Sequence, residues 1–313
     1  MRGDPLTDVV LLAGARFRMS GSLAAGGDWA LRFPPPEDIK FVAVVKGGCW
    51  LSVEGAEDPR RLGTGDVAML GAGRPFALAG APGAPEMDGA RVFADAIGNV
   101  ASVGDGSGFL AIGGHVVLDP VRGGVLAEVL PPLIHVDAGS SEAAAMRWII
   151  DQLVKEVAAD LPGAALASEQ LAQLLFLHVI RSWLAGSDRT GLGWIGALRD
   201  ARIAPALRMM HADPGRAWRL DELARAVGMS RTSFALRFKA AAGVAPLAYL
   251  LDWRMRLAER SLREGTAPVS QLALSLGYTS ESAFSNAFKR RTGLAPRHYR
   301  SRAEGEVLPA APR

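Results

Sequence analysis

Arg231, Thr232, Ser233, Leu236, Arg237 and Lys239 share the outward side of one helix-period segment, and Glu281, Ser282, Ser285, Asn286, Lys289, Arg290 and Arg291 share that of another. Hydroxyl, amide and carboxylate groups at such spacing can hydrogen-bond base edges in a major groove. The Lys and Arg at the C-terminal ends suit phosphate contacts, which contribute affinity rather than sequence choice. The opposite side of each segment carries two Phe four residues apart, Phe234 and Phe238, then Phe284 and Phe288. That spacing buries a helix on a neighbour.

Each segment is the second half of a longer unit. In "LDELARAVGMSRTSFALRFKAAAG" (220–243), Leu220, Leu223, Ala224 and Val227 form one helical face, and Gly228 can end that helix in a left-handed conformation. Ser230 is a good N-cap for the next helix. "VSQLALSLGYTSESAFSNAFKRRTG" (269–293) repeats the plan with Leu272, Ala273 and Leu276, then Gly277, Tyr278, Thr279 and Ser280. Helix, Gly turn, helix is the helix-turn-helix grammar. Between the units, Leu251, Met255, Ala258 and Leu262 form a helical face that ends at Gly265 and Pro268. A rod of about 20 residues spans roughly 30 Å, close to one turn of B-DNA. Two reading heads on one bar explain the duplication. The plainer alternative is a helical bundle whose Phe pairs are only core.

Charge separates the chain the same way. Residues 1–199 hold 16 Lys and Arg against 22 Asp and Glu, whereas residues 200–302 hold 18 against 8. The basic part is the one that suits a polyanion. Cys49 is the only cysteine, so no intramolecular disulfide and no Cys/His zinc spacing is expected, which fits a reducing cytoplasm. No apolar run has the length of a membrane span, and the acidic start "MRGDPLTD" does not read as a signal peptide.

Residues 200 to 300 resemble the DNA-binding domain of AraC/XylS-type bacterial transcription regulators. The likeness is carried by "SLGYTSESAFSNAFKRRTGLAPRHYR", which departs from the family pattern mainly at Ala295, where Ser or Thr is common. It implies two helix-turn-helix units joined by a long helix, and promoter binding, most often as an activator. By position it nominates Thr232, Ala235 and Leu236 for base reading in the first unit, and Glu281, Ser282, Ser285 and Asn286 in the second, with Ser280 beside them. Leu236 and Asn286 stand where related sequences often place Arg, which points to an individual operator sequence.

The front half reads as strands and turns from Val9 to Asp137, a sandwich or a barrel, with a helix before it near residues 4–12. "WALRFP", "GGCWLSVEG", "LGTGDVAMLGAGRPFAL" and "VLPPLIHV" occur in the order seen in the cupin-type ligand-binding domain of one AraC subgroup. Val42 and Phe76 stand where a metal cupin has His, leaving His115 and His135 as a poor ligand set, so neither metal nor other cofactor is expected. Trp29, Phe41, Val42, Trp50, Phe76 and His115 are candidates to line an effector pocket, and Cys49 reads as a small buried hydrophobe. After Asp137 the period becomes helical. Met146, Ile149, Ile150, Leu153 and Val157 form a stripe that either packs on the β domain or faces a second copy, and His178 sits on the next helix as a packing or capping residue.

The expected architecture is α+β in two domains. A cupin-like β-barrel (1–137) is followed by an amphipathic helical pair for dimerisation (138–188). An all-α domain of two helix-turn-helix units joined by a long helix follows (194–302), then a disordered tail (303–313). The expected function is a cytoplasmic, homodimeric, effector-responsive regulator that contacts promoter DNA and RNA polymerase and is not an enzyme. The rivals are an effector-independent regulator whose cupin-like domain only mediates assembly, and a metal-cupin enzyme fused to a DNA-binding module.

Overall fold

The computed structural model describes residues 3–56, 58–96, 99–159, 161–186 and 193–306. Its elements begin with α1 (Pro5–Leu12), β1 (Arg16–Ala25), β2 (Ala30–Phe33), β3 (Ile39–Lys46), β4 (Gly48–Val53) and β5 (Arg60–Gly63). They continue with β6 (Val67–Leu70), β7 (Phe76–Ala79), β8 (Glu86–Asp88), α2 (Gly89–Ala94), β9 (Val100–Val103), β10 (Phe109–Val117), α3 (Gly124–Ala127) and β11 (Leu133–Val136). Helices follow: α4 (Ala143–Ala159), α5 (Ala164–Gly186), α6 (Trp194–Arg199), α7 (Ala204–Ala212), α8 (Leu220–Ala226) and α9 (Arg231–Ala242). The last are α10 (Pro246–Glu264), α11 (Val269–Ser275), α12 (Glu281–Thr292) and α13 (Pro296–Glu306).

Two compact units form. One takes residues 15–120 and 130–186, the other residues 3–14, 121–129 and 193–306. In the first, two sheets face each other, with strand orders β11-β6-β3-β10-β1-β9 and β5-β4-β7-β2-β8. Leu23, Val42, Val44 and Leu70 from the larger sheet meet Leu31, Leu51, Phe76 and Leu78 from the smaller in one core. The expected barrel is thus an open two-sheet arrangement, because among the described residues the outer strands of one sheet do not pair with those of the other. Gly47 makes the turn between β3 and β4 with φ of 78°, a conformation that favours glycine.

The helices α4 and α5 pack on each other and on the outer face of the larger sheet, where Phe17 of β1 meets Phe176 of α5 at 5.5 Å between ring centroids. The stripe expected to dimerise is turned into this unit. Met146, Ile149, Ile150 and Leu153 are buried and Val157 is half-buried. The physical reason is that the sheet's outer face must itself be covered: α5 lies on β1 and β11, and the α4 stripe closes onto α5 and β3. His178 on α5 clips to Glu142, just before α4, through its Nδ1 at 2.5 Å.

The second unit holds the duplicated helices. Leu207, Met210, Leu223, Phe234, Phe238 and Leu250 make one core, and Met255, Ala258, Leu262, Leu272, Phe284 and Phe288 make another. The helix α10 feeds both. Its first-core residue is Leu250, while the expected Leu251 is 47% exposed. Also in this unit is α1, which the sequence reading had set at the head of the β domain, and Trp194 Nε1 donates to the Val125 carbonyl at 3.0 Å. Residues 187–192, where the expected helical pair gives way to the expected all-α domain, lie outside the described residues. The last helix runs to Glu306, past the expected domain end at residue 302, and the rest of the expected tail lies outside the described residues.

Candidate nucleic-acid interface

Two helices with the same construction stand at the two ends of α10. Ser230 caps α9 by accepting from the Ser233 N–H at 3.2 Å, and Ser280 caps α12 by accepting from the Ala283 N–H at 3.1 Å. Gly228 and Gly277 precede them with φ of 64° and 80°, and Gly243 and Gly293 end them with φ of 76° and 80°. In each, the Phe pair is fully buried, which fixes the helix's rotation and decides what faces out. With 19 residues, α10 measures about 28 Å.

On α9, Arg231, Thr232, Ser233, Arg237 and Lys239 are exposed, Ala235 is half-buried and Leu236 is 65% exposed. On α12, Ser282, Asn286, Lys289, Arg290 and Arg291 are exposed, as is Ser280 before it, while Glu281 and Ser285 are half-buried. Several of these have work inside the unit. Arg237 Nε donates to Asp200 Oδ2 at 2.6 Å, Arg291 Nε donates to Asp252 Oδ1 at 2.8 Å, and Glu281 pairs with Arg297 at 3.4 Å. Arg256 Nε reaches the same Asp252 at 2.7 Å. Burial alone would raise the Asp252 pKa, but Arg256 and Arg291 hold it below its ordinary value. Asp252 therefore stays ionised and anchors α12 to α10. Among the described residues no carboxylate pairs with Arg231, Lys239, Lys289 or Arg290.

Sequence reasoning had not picked out Asp200 and Asp252, which hold α9 and α12, or Arg254, which ties α10 to the segment before α8. Arg254 on α10 donates to the carbonyls of Pro214 and Arg216 at 2.6 and 2.8 Å. Single charges on an exposed helix carry no mark of so distant a partner.

The sheet unit holds a cavity of about 290 Å³ whose lining includes Phe33, Val42, Phe76, Leu78, Phe93 and Ala111. Of the expected pocket residues, Val42, Phe76 and His115 line it. Trp29, Phe41 and Trp50 do not. Trp29 is buried in the core against Phe109, with ring centroids 5.0 Å apart, and Trp50 sits half-buried beneath the Arg61 guanidinium. Phe41 alternates with Val42 along β3 and so lies on the sheet's other face. Lys40, Ser20 and the Pro34–Pro36 run line the cavity too and were missed. Cys49 is buried, and burial followed by the Asp66 charge pushes its thiol up to about 12, so it behaves as an apolar side chain. His135 sits 3.0 Å from Asp66 Oδ2. Among the described residues no three His, Cys, Asp or Glu gather as a metal site, and no single helix is long and apolar enough to cross a membrane.

A family model described as Cupin matches residues 4–185, and one described as helix-turn-helix domain matches residues 223–302. An AraC-like transcription regulator of Streptomyces antibioticus is 41% identical over 95% of this chain and 98% of its own length. One of Streptomyces lividans is 40% identical over the same shares. The crystal structure of a regulator with an AraC-type DNA-binding domain from Chromobacterium violaceum is 26% identical, with a TM-score of 0.32, and covers 35% of this chain and 95% of that one. The chain belongs to the AraC-type family of DNA-binding transcription regulators, with a cupin domain in front and a helix-turn-helix domain behind, and it is a regulator rather than an enzyme.

Proposed function

We propose that α9 and α12 enter successive major grooves on one side of promoter DNA. Thr232, Ala235 and Leu236 meet base edges from the first helix, and Glu281, Ser282, Ser285 and Asn286 from the second. Arg231, Lys239, Lys289 and Arg290 take phosphates. Ser280 acts as a cap, Ser233 completes the first cap, and Arg237 and Arg291 act mainly by fixing the helices to Asp200 and Asp252. An exposed Leu236 suits a thymine methyl group better than a purine edge. The observation that carries this reading is the identical cap, turn and Phe pair at both ends of one rod of about 28 Å.

The sheet unit, in this reading, binds a small-molecule effector in its cavity and shifts the population of DNA-competent states. The protein acts in the cytoplasm as an activator that contacts RNA polymerase, and it does so as a homodimer held by surfaces other than the inward stripe of α4. Filling the cavity tests the effector role without any ligand. Ala111→Leu places three more carbons in the space. It is expected to change operator affinity of the full-length protein severalfold. A correctly folded Ala111→Leu protein with unchanged operator affinity would leave the sheet unit an assembly device only.

A further inference from the structure

The inner face of β3 and β10 should be apolar throughout, because it lines the space between two sheets. At one end it is not. Lys40 and His115 are register partners on neighbouring strands, and Arg18 is the register partner of His115 on its other side. Lys40 Nζ donates to Ser20 Oγ at 2.8 Å and lies 3.1 Å from His115 Nε2. All of Lys40, His115 and Ser20 line the cavity, whose remaining wall is mostly hydrocarbon and aromatic rings. Among the described residues no carboxylate pairs with Lys40 or His115.

A part-buried amine without a counter-ion is costly. Burial lowers the Lys40 pKa to about 8, and burial followed by the Lys40 charge lowers that of His115 to about 4. What this end lacks is one negative charge with acceptor oxygens. What the rest of the cavity lacks is apolar filling. At about 30 Å³ for each water-sized group, the space admits on the order of ten non-hydrogen atoms.

We propose that the cavity binds an amphipathic monocarboxylate, its apolar part among Phe33, Phe76 and Phe93 and its carboxylate on Lys40 and Ser20. That this ligand is the effector rests on the reading of the preceding subsection. A single lysine selects one negative charge, and the ring-lined remainder selects an alkyl or aryl tail.

The probes are octanoate and octan-1-ol, which share a chain length and differ in charge. Calorimetric titration into full-length protein is expected to show octanoate binding more tightly than octan-1-ol. Lys40→Met is expected to weaken octanoate about tenfold and to leave octan-1-ol as tight or tighter, while Lys40→Arg keeps octanoate within a few-fold. Equal binding of the two probes to the wild type, octanoate binding unmoved by Lys40→Met, or no binding of either probe overturns the proposal. If octanoate fails while Ala111→Leu changes operator affinity, the carboxylate is wrong and the effector reading stands. If octanoate binds as expected but neither it nor Ala111→Leu moves operator affinity, the site stands and the effector reading falls.

Discussion

His211 is wholly buried, with its Nδ1 3.2 Å from an oxygen of Asp8, more than two hundred positions earlier in the chain. Its Nε2 lies 2.7 Å from the Tyr249 hydroxyl, and its ring stacks on Trp253 at 4.2 Å. Through this contact α1 becomes part of the DNA-reading unit. Asp8→Ala is expected to cost about 1–3 kcal/mol in urea unfolding, since it strips a buried ring nitrogen of its partner. Burial lowers the His211 pKa despite the raising effect of Asp8. The unfolded chain therefore binds the proton first, so stability is full above the ordinary histidine range and falls as pH drops through it. His211→Gln should lessen that acid sensitivity.

The two kinds of DNA contact separate by mutation. Arg290→Ala should weaken binding to every sequence alike and reduce the salt slope by about 1. Asn286→Ala should instead change preference at one base position by about 1–3 kcal/mol. Equal effects of both on specific and random DNA would contradict the sorting.

The stripe on α4 makes a different prediction from the one its sequence invites. Leu153 is fully buried within one chain. Leu153→Ala should lower unfolding stability by about 2–5 kcal/mol and leave the sedimentation coefficient of the folded protein unchanged. A stable monomer from this variant would mean that the stripe faces a partner.

Lys40 offers a pH signature in the ligand-free protein. Its folded pKa of about 8 lies below the ordinary lysine value of 10.5. Between those values the unfolded chain binds more protons, so stability climbs with pH across the window. Lys40→Met should raise the melting temperature at neutral pH and remove the climb. A variant that melts lower at neutral pH, with the climb intact, would place the charge in solvent.

What could be read from the sequence follows from how local each signal is. The helix-turn-helix units were legible because Gly228, Ser230, Phe234 and Phe238 act on their immediate neighbours and recur at Gly277, Ser280, Phe284 and Phe288. The pairing of Arg237 with Asp200 and of Arg291 with Asp252 was not, because each bridges nearly forty positions. The stripe from Met146 to Leu153 announced burial without naming what buries it. Apolar α1 did the same, and its partner His211 lies 203 positions further along the chain than Asp8. Strand β3 hid its pocket residue for another reason. Phe41, Val42, Ala43 and Val44 are apolar on both faces, so no alternation marked Lys40 as pointing inward.

Selection of bound sequences from random duplex DNA by the full-length protein, at about 0.15 M salt to hold down non-specific phosphate binding, tests the central claim most directly. Two reading helices on one rod predict an enriched motif of two blocks about one helical turn apart, each block weakened separately by changes in α9 or α12. A single block, or two blocks that both answer to the same helix, would contradict the two-headed reader.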